Sequence, residues 1–186
     1  YSNDTGSNYL FIAFGAEEKG LLGSHYFANS DAYDMDRINY MFNFDMIGRM
    51  DGNSLMLIGT GTSPVWDTLI DTYAPDHLEI RRSAGGAGGS DHTNFYTRQI
   101  PVLFFFTGIH QDYHRSSDTP DKINYKGMQE ILSFTYDMMA GIDGHGKLAF
   151  TSTGIPEQTS RRSGSLTLGI MPDHAYEEGF RAQAVM

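Results

Sequence analysis

Cysteine is absent from this chain. That excludes disulfides and thiolate metal or redox sites, and it suits an oxidising compartment as well as a reducing one. Basic residues are scarce, 13 Lys and Arg against 23 Asp and Glu, for a net charge of -10. With no basic stripe to neutralise phosphates, a nucleic-acid partner is excluded. No apolar run approaches the roughly 18 residues that cross a bilayer, and the start lacks the basic and then apolar pattern of a signal peptide. The chain therefore reads as soluble, with no transmembrane segment. Methionine is missing from the first position, which is Tyr1, and a core-like run begins soon after at Tyr9. The beginning reads as cut from a longer polypeptide.

The 186 residues, 40% hydrophobic and 13% aromatic, supply one compact domain with a sizeable core and little more. Four short apolar runs bounded by glycine or polar turns read as buried strands: "YLFIAF", "NYMFNFDMIG", "SLMLIG" and "IPVLFFF". "HLEIRR" alternates and reads as an edge strand. Helices are expected over 24–29 behind Ser24, over 63–74 with Ser63 as cap and Pro64 at the first position, and over 90–97 behind Ser90. The longest spans 125–142, where Met128, Ile131, Leu132, Thr135, Met138 and Met139 recur at helical spacing. Strands alternating with helices predict an α/β fold, a mixed, mostly parallel sheet with helices on both faces. After Gly144 the chain turns small and polar, so the globular unit is expected over 1–145 and a linker with a short extension over 146–186.

Reactive groups in such sheets gather beyond the carboxyl ends of the strands. Here that inventory is acidic: Glu17 and Glu18 after the first run, Asp45 after the second, and His110, Asp112, Tyr113, His114 and Asp118 after the last. Carboxylates plus neutral imidazole, without thiolate, suit zinc or a similar divalent ion. Each piece alone also has an ordinary reading. A Glu-Glu pair is commonly a solvated surface pair, and Asp45 could be held by backbone amides rather than metal. His110 and His114 have i, i+4 spacing, but Gly108 and the aromatic strand before them predict a loop, with no HExxH glutamate. "SAGGAGGSDH" lacks both the P-loop ending and the GxGxxG order, and no G-x-S-x-G elbow supports a serine hydrolase.

Taken in order, "FIAFGAEEKGLLGSHYF", "NFDMIGR", "GGSDHTNFY", "IPVLFFFTG" and "DYHRSSDTPDKINYKG" resemble the M28 family of zinc aminopeptidases, especially bacterial members. The resemblance implies a zinc-exopeptidase fold, incomplete here on its amino-terminal side, and two zinc ions about 4 Å apart at the strand ends. It places Glu18 as ligand of one zinc, Asp45 and His114 as ligands of the other, and Glu17 as general base. Tyr113 aligns with a tyrosine that donates to the oxyanion in some relatives. Ser90, Asp91, His92, His110 and Asp118 would support the metal ligands or contact substrate. The family's His-x-Asp strand end and bridging aspartate have no counterpart in "YSNDTGSN". The chain thus carries three of the family's five protein ligands and is expected to be inactive alone.

The tail "SLTLGIMPDHAYEEGFRAQAV" is similar to the opening of a PDZ-like domain that follows the peptidase domain in some bacterial relatives. What the resemblance implies is zinc-dependent removal of amino-terminal residues from peptides, in a secreted or periplasmic protein. The alternatives on the same fold are a glutaminyl cyclase with a single zinc and a non-catalytic binding domain. The unbroken "EEKGLLGS" and "DMIGR", and the joint presence of Glu17, Glu18, Asp45 and His114, favour hydrolysis.

Overall fold

The computed structural model describes residues 7–154 and the backbone of 170–172 and 182–185. Four strands form the central sheet: β1 (Met41–Phe44), β2 (Ser54–Ile58), β3 (Glu79–Ser83) and β4 (Val102–Phe106), in the order β1-β4-β2-β3. β1 and β4 run parallel with Phe44 opposite Phe105, and β2 and β3 run parallel with Ser54 opposite Glu79. β2 meets β4 antiparallel, with Leu57 opposite Phe105. The sheet is mixed, as expected from the sequence, and "HLEIRR" supplies one of its two outer strands among the described residues, β3.

Side chains alternate across the sheet, so β4 feeds two cores. Leu103 and Phe105 join Leu55, Leu57, Trp66, Ile70, Phe134 and Met138 on one face, while Val102 joins Ala28, Phe95 and Tyr96 on the other. Helices α2 (Val65–Tyr73) and α4 (Tyr125–Ile142) cover the first face; α1 (Leu22–Asn29) and α3 (His92–Tyr96) cover the second. Full burial of a phenylalanine such as Phe105 contributes about 1.5 to 3 kcal/mol of transfer free energy. α4 forms where Asn124 caps it, its side chain accepting from Gly127 N at 2.9 Å, and where Ile131, Phe134, Thr135, Met138 and Ile142 share one buried stripe.

Two expectations are corrected here. "YLFIAF" is not a buried strand: residues 7–14 pair with no strand, and Leu10 and Phe11 are 58% and 88% exposed. An apolar run becomes a strand only when another edge lies within hydrogen-bonding reach. Here a trough of about 680 Å³ separates the run from the free edge of β1, lined by Tyr9, Leu10, Phe42, Phe44, Leu132 and Tyr136. Leu132, expected in the core, opens onto that trough and is 47% exposed.

The serines expected to cap helices do not. α1 begins before Ser24, α2 has no side-chain cap and Ser63 Oγ is buried without a partner among the described residues, and Ser90 turns toward Asp45.

Past α4 the chain stays on the domain through residue 154. Leu148 is buried in the larger core, Phe150 packs on Tyr96, and Thr151 N donates to Thr62 O at 2.8 Å. Of the tail expected to open a PDZ-like domain, only β5 (Ile170–Pro172) and β6 (Ala182–Val185) are described, paired antiparallel with a register shift at Met171/Pro172. The rest of that expected module lies outside the described residues.

Candidate active site

The segment carrying Glu17 and Glu18 is a closed loop. Gly23 N donates to Gly15 O at 3.0 Å, and a Cβ on Gly23 would stand 2.4 Å from that oxygen. Glycine is required for this approach. Between them Ala16 takes a left-handed conformation at φ 57°, Glu17–Lys19 form a 3-10 turn, and Leu21 is left-handed at φ 59°. Met46, directly after Asp45, and His114 share that conformation at φ 56° and 55°. Non-glycine residues rarely adopt it, and such strain persists where the surroundings enforce it, commonly at working sites.

The parallel neighbours β1 and β4 leave the sheet side by side, one delivering Asp45 and the other the loop with Tyr113 and His114. His114 Nε2 lies 2.7 Å from Glu18 Oε1, and the Tyr113 and His114 rings stack with centroids 3.8 Å apart. Asp45 Oδ2 accepts from Ser90 Oγ at 3.2 Å, and Ser90 in turn accepts from Asn43 Nδ2 at 2.8 Å. Asp91 Oδ1 accepts a short hydrogen bond from Ser24 Oγ, which accepts from Asn94 Nδ2 at 2.8 Å.

The cluster of like charges has a direct electrostatic consequence. Burial first, then the charges of Asp45, Glu18 and Asp91, push the Glu17 carboxyl up to about 7, against a smaller opposing pull from His114. Burial also raises Asp45, with Ser90 opposing and Glu18 and Asp91 adding to the rise. Tyr113 is raised by burial and by Glu18, Asp45 and Glu17. A carboxylate titrating near neutrality beside three others can accept and return a proton at physiological pH.

Of the residues singled out from the sequence, Glu17, Glu18, Asp45, Tyr113, His114, Ser90 and Asp91 therefore belong to one constellation. His92 is fully buried, stacked on Phe104 at 4.7 Å, and neither ring nitrogen has a partner among the described residues. Burial lowers its pKa to about 3, so it is a neutral ring in the sheet face. His110 Nε2 lies 3.7 Å from Asp118 Oδ2, and Asp118 pairs with Arg49 at 2.5 Å. Sequence reasoning gave no site role to Arg49, Asn43 and Asn94 and read Ser24 as a helix cap; their partners lie too far along the chain for local pattern to connect them.

Two carboxylates and an imidazole match the ligand preference of zinc, and the repulsion raising Glu17 is what a bound cation would relieve. The residues fit such an ion in chemistry. Among the described residues, however, no three Asp, Glu or His side chains converge as a complete metal site.

Residues 5–139 match the model of peptidase family M28. The chain belongs to that family. It is 31% identical over 134 residues to aminopeptidase YwaD of Bacillus subtilis, covering 64% of this chain and 29% of that protein. With leucine aminopeptidase 2 of Trichophyton rubrum it shares 28% over 144 residues, covering 61% and 29%. Among solved structures it is similar to BSAP, a zinc aminopeptidase from Bacillus subtilis (TM-score 0.60, 26% identity, 75% of this chain and 35% of that one). The LapA aminopeptidase of Legionella pneumophila is also similar (TM-score 0.59, 25% identity, 74% and 41%). A glutaminyl cyclase of Porphyromonas gingivalis, at 16% identity and TM-score 0.52, shares the fold. This M28 chain spans under a third of the length of the curated relatives named above.

Proposed function

We propose that this M28 chain carries part of the catalytic centre of a zinc-dependent aminopeptidase, with Glu17 as the proton-transfer group. The observation that carries the reading is the Glu17 carboxyl, raised to about 7 next to the Glu18–His114 pair and Asp45. Glu17 takes a proton from the attacking water as the new C–O bond forms, then hands it to the amine nitrogen as the C–N bond of the tetrahedral adduct breaks. Tyr113, kept protonated by burial and surrounding carboxylates, donates its hydroxyl to the oxygen of the attacked carbonyl. Ser90 holds Asp45, and Ser24 holds Asp91, so the acidic groups keep their orientation without drifting apart. Glu18, Asp45 and His114 would hold zinc, which when bound polarises the carbonyl and acidifies water.

The test is hydrolysis of leucine p-nitroanilide by the polypeptide that carries this chain, with and without a chelator. Chelation and Glu17→Gln should each abolish turnover. A Glu17→Gln variant with undiminished turnover would overturn the assignment, and pyroglutamate formation from a glutaminyl peptide would redirect it to the cyclase reaction.

A further inference from the structure

Arg49 lies four positions after Asp45, at the end of the 3-10 turn Ile47–Arg49 that follows β1. Its guanidinium reaches across to the loop after β4 and takes two carboxylates at once: Nη2 to Asp112 Oδ2 at 2.8 Å and Nη1 to Asp118 Oδ1 at 2.5 Å. These aspartates bracket Tyr113 and His114 in sequence. Asp112 Oδ1 accepts further from Ser117 Oγ at 2.6 Å and Lys122 Nζ at 2.7 Å. Arg49 and Asp112 are 18% and 16% exposed, more withdrawn from water than an ordinary surface pair.

The loop depends on such a tie. Among the described residues its backbone bonds close only local turns, Tyr113 N to His110 O, Arg115 N to Asp112 O and Asp118 N to Arg115 O, while Thr107 Oγ1 donates to Met46 O at its start. His114 meanwhile holds a left-handed conformation, which a residue with a Cβ keeps only under constraint. A planar fork with fixed donors suits two carboxylates; a lysine offers one point charge.

We infer that Arg49 is a positioning residue: by gripping Asp112 and Asp118 it sets the Tyr113–His114 loop against the turn that carries Asp45. The inference rests on the aminopeptidase reading for its effect on turnover, but the pinning itself does not.

The experiment compares wild type, Arg49→Met and Arg49→Lys in the polypeptide that carries this chain, with two readouts. Trypsin cleavage after Arg115, an exposed loop residue, is followed by mass spectrometry; kcat and KM are followed on leucine p-nitroanilide. Arg49→Met should be cut faster at Arg115 and lose kcat by about 10-fold to 100-fold, with KM little changed. Arg49→Lys should fall between. Unchanged cutting, or unchanged kcat in an active enzyme, overturns the proposal. Asp118→Asn, which removes one prong, gives the same readouts should Arg49→Met fail to fold. If wild type hydrolyses no peptide, the aminopeptidase reading falls and the cutting rate alone decides the pinning.

Discussion

His114 Nε2 meets Glu18 Oε1 at 2.7 Å across 96 residues of chain. The contact joins the Gly15–Gly23 loop to the loop after β4 and brings a carboxylate and an imidazole within reach of one ion. Zinc titrated calorimetrically into these 186 residues is expected to bind at micromolar affinity or weaker, because no three donors converge among the described residues. Glu18→Gln and His114→Ala should each weaken that binding further, and His92→Phe should leave it unchanged. Nanomolar binding by the chain would contradict this.

Glu17 links pH to both rate and stability. Hydrolysis needs the ionised carboxylate, so kcat/KM should rise with pH as Glu17 ionises and then level, with its midpoint below the metal-free value of about 7 because a bound cation relieves the repulsion. Its folded pKa stands above the unfolded value near 4.5, so the folded state binds more protons between those values. The resulting stability is present below about pH 4.5 and is lost as pH rises through about 7. Thermal melts should show Tm contributions of that sign, diminished in Glu17→Gln and not abolished, since Asp45 is raised too.

His92 contributes with the opposite slope. Its folded pKa, near 3, lies below the unfolded 6.5, so the unfolded chain binds more protons in that window and stability falls as pH drops from about 6.5 toward 3. His92→Phe should flatten this slope and, by removing two buried nitrogens without partners among the described residues, leave stability at neutral pH unchanged or raised by about 1 kcal/mol. Melts of both proteins across that range check it.

Gly23→Ala should damage the site through the backbone. The added methyl would press on Gly15 O, at a cost of about 1 to 3 kcal/mol, and would shift Glu17 and Glu18 together. Denaturant midpoints and turnover should both fall.

The sequence made β1, β2 and β4 legible because "MFNF", "SLMLI" and "VLFFF" are short, apolar and aromatic. Composition could not show that "YLFIAF", equally apolar, has no paired edge. The acidic constellation was readable from Glu17, Glu18, Asp45 and His114 through the motif order of a known family. Its supports were not. A serine ahead of a helical pattern looks like a cap, yet Ser24 and Ser90 spend their hydroxyls on Asp91 and Asp45, 67 and 45 residues away. Arg49 reaches 63 and 69 residues ahead. The left-handed turns at Ala16 and Met46 fall on residues that carry no glycine signal.

The trough beside β1 bears on how these residues behave in a test tube. Its apolar walls and an edge of β1 that pairs with no strand among the described residues invite contact between copies, while a net charge of -10 keeps copies apart. Salt screens the repulsion and leaves the attraction. Dispersed in dilute buffer, the chain should gather into assemblies as ionic strength rises, a colloidal trend that light scattering would follow directly.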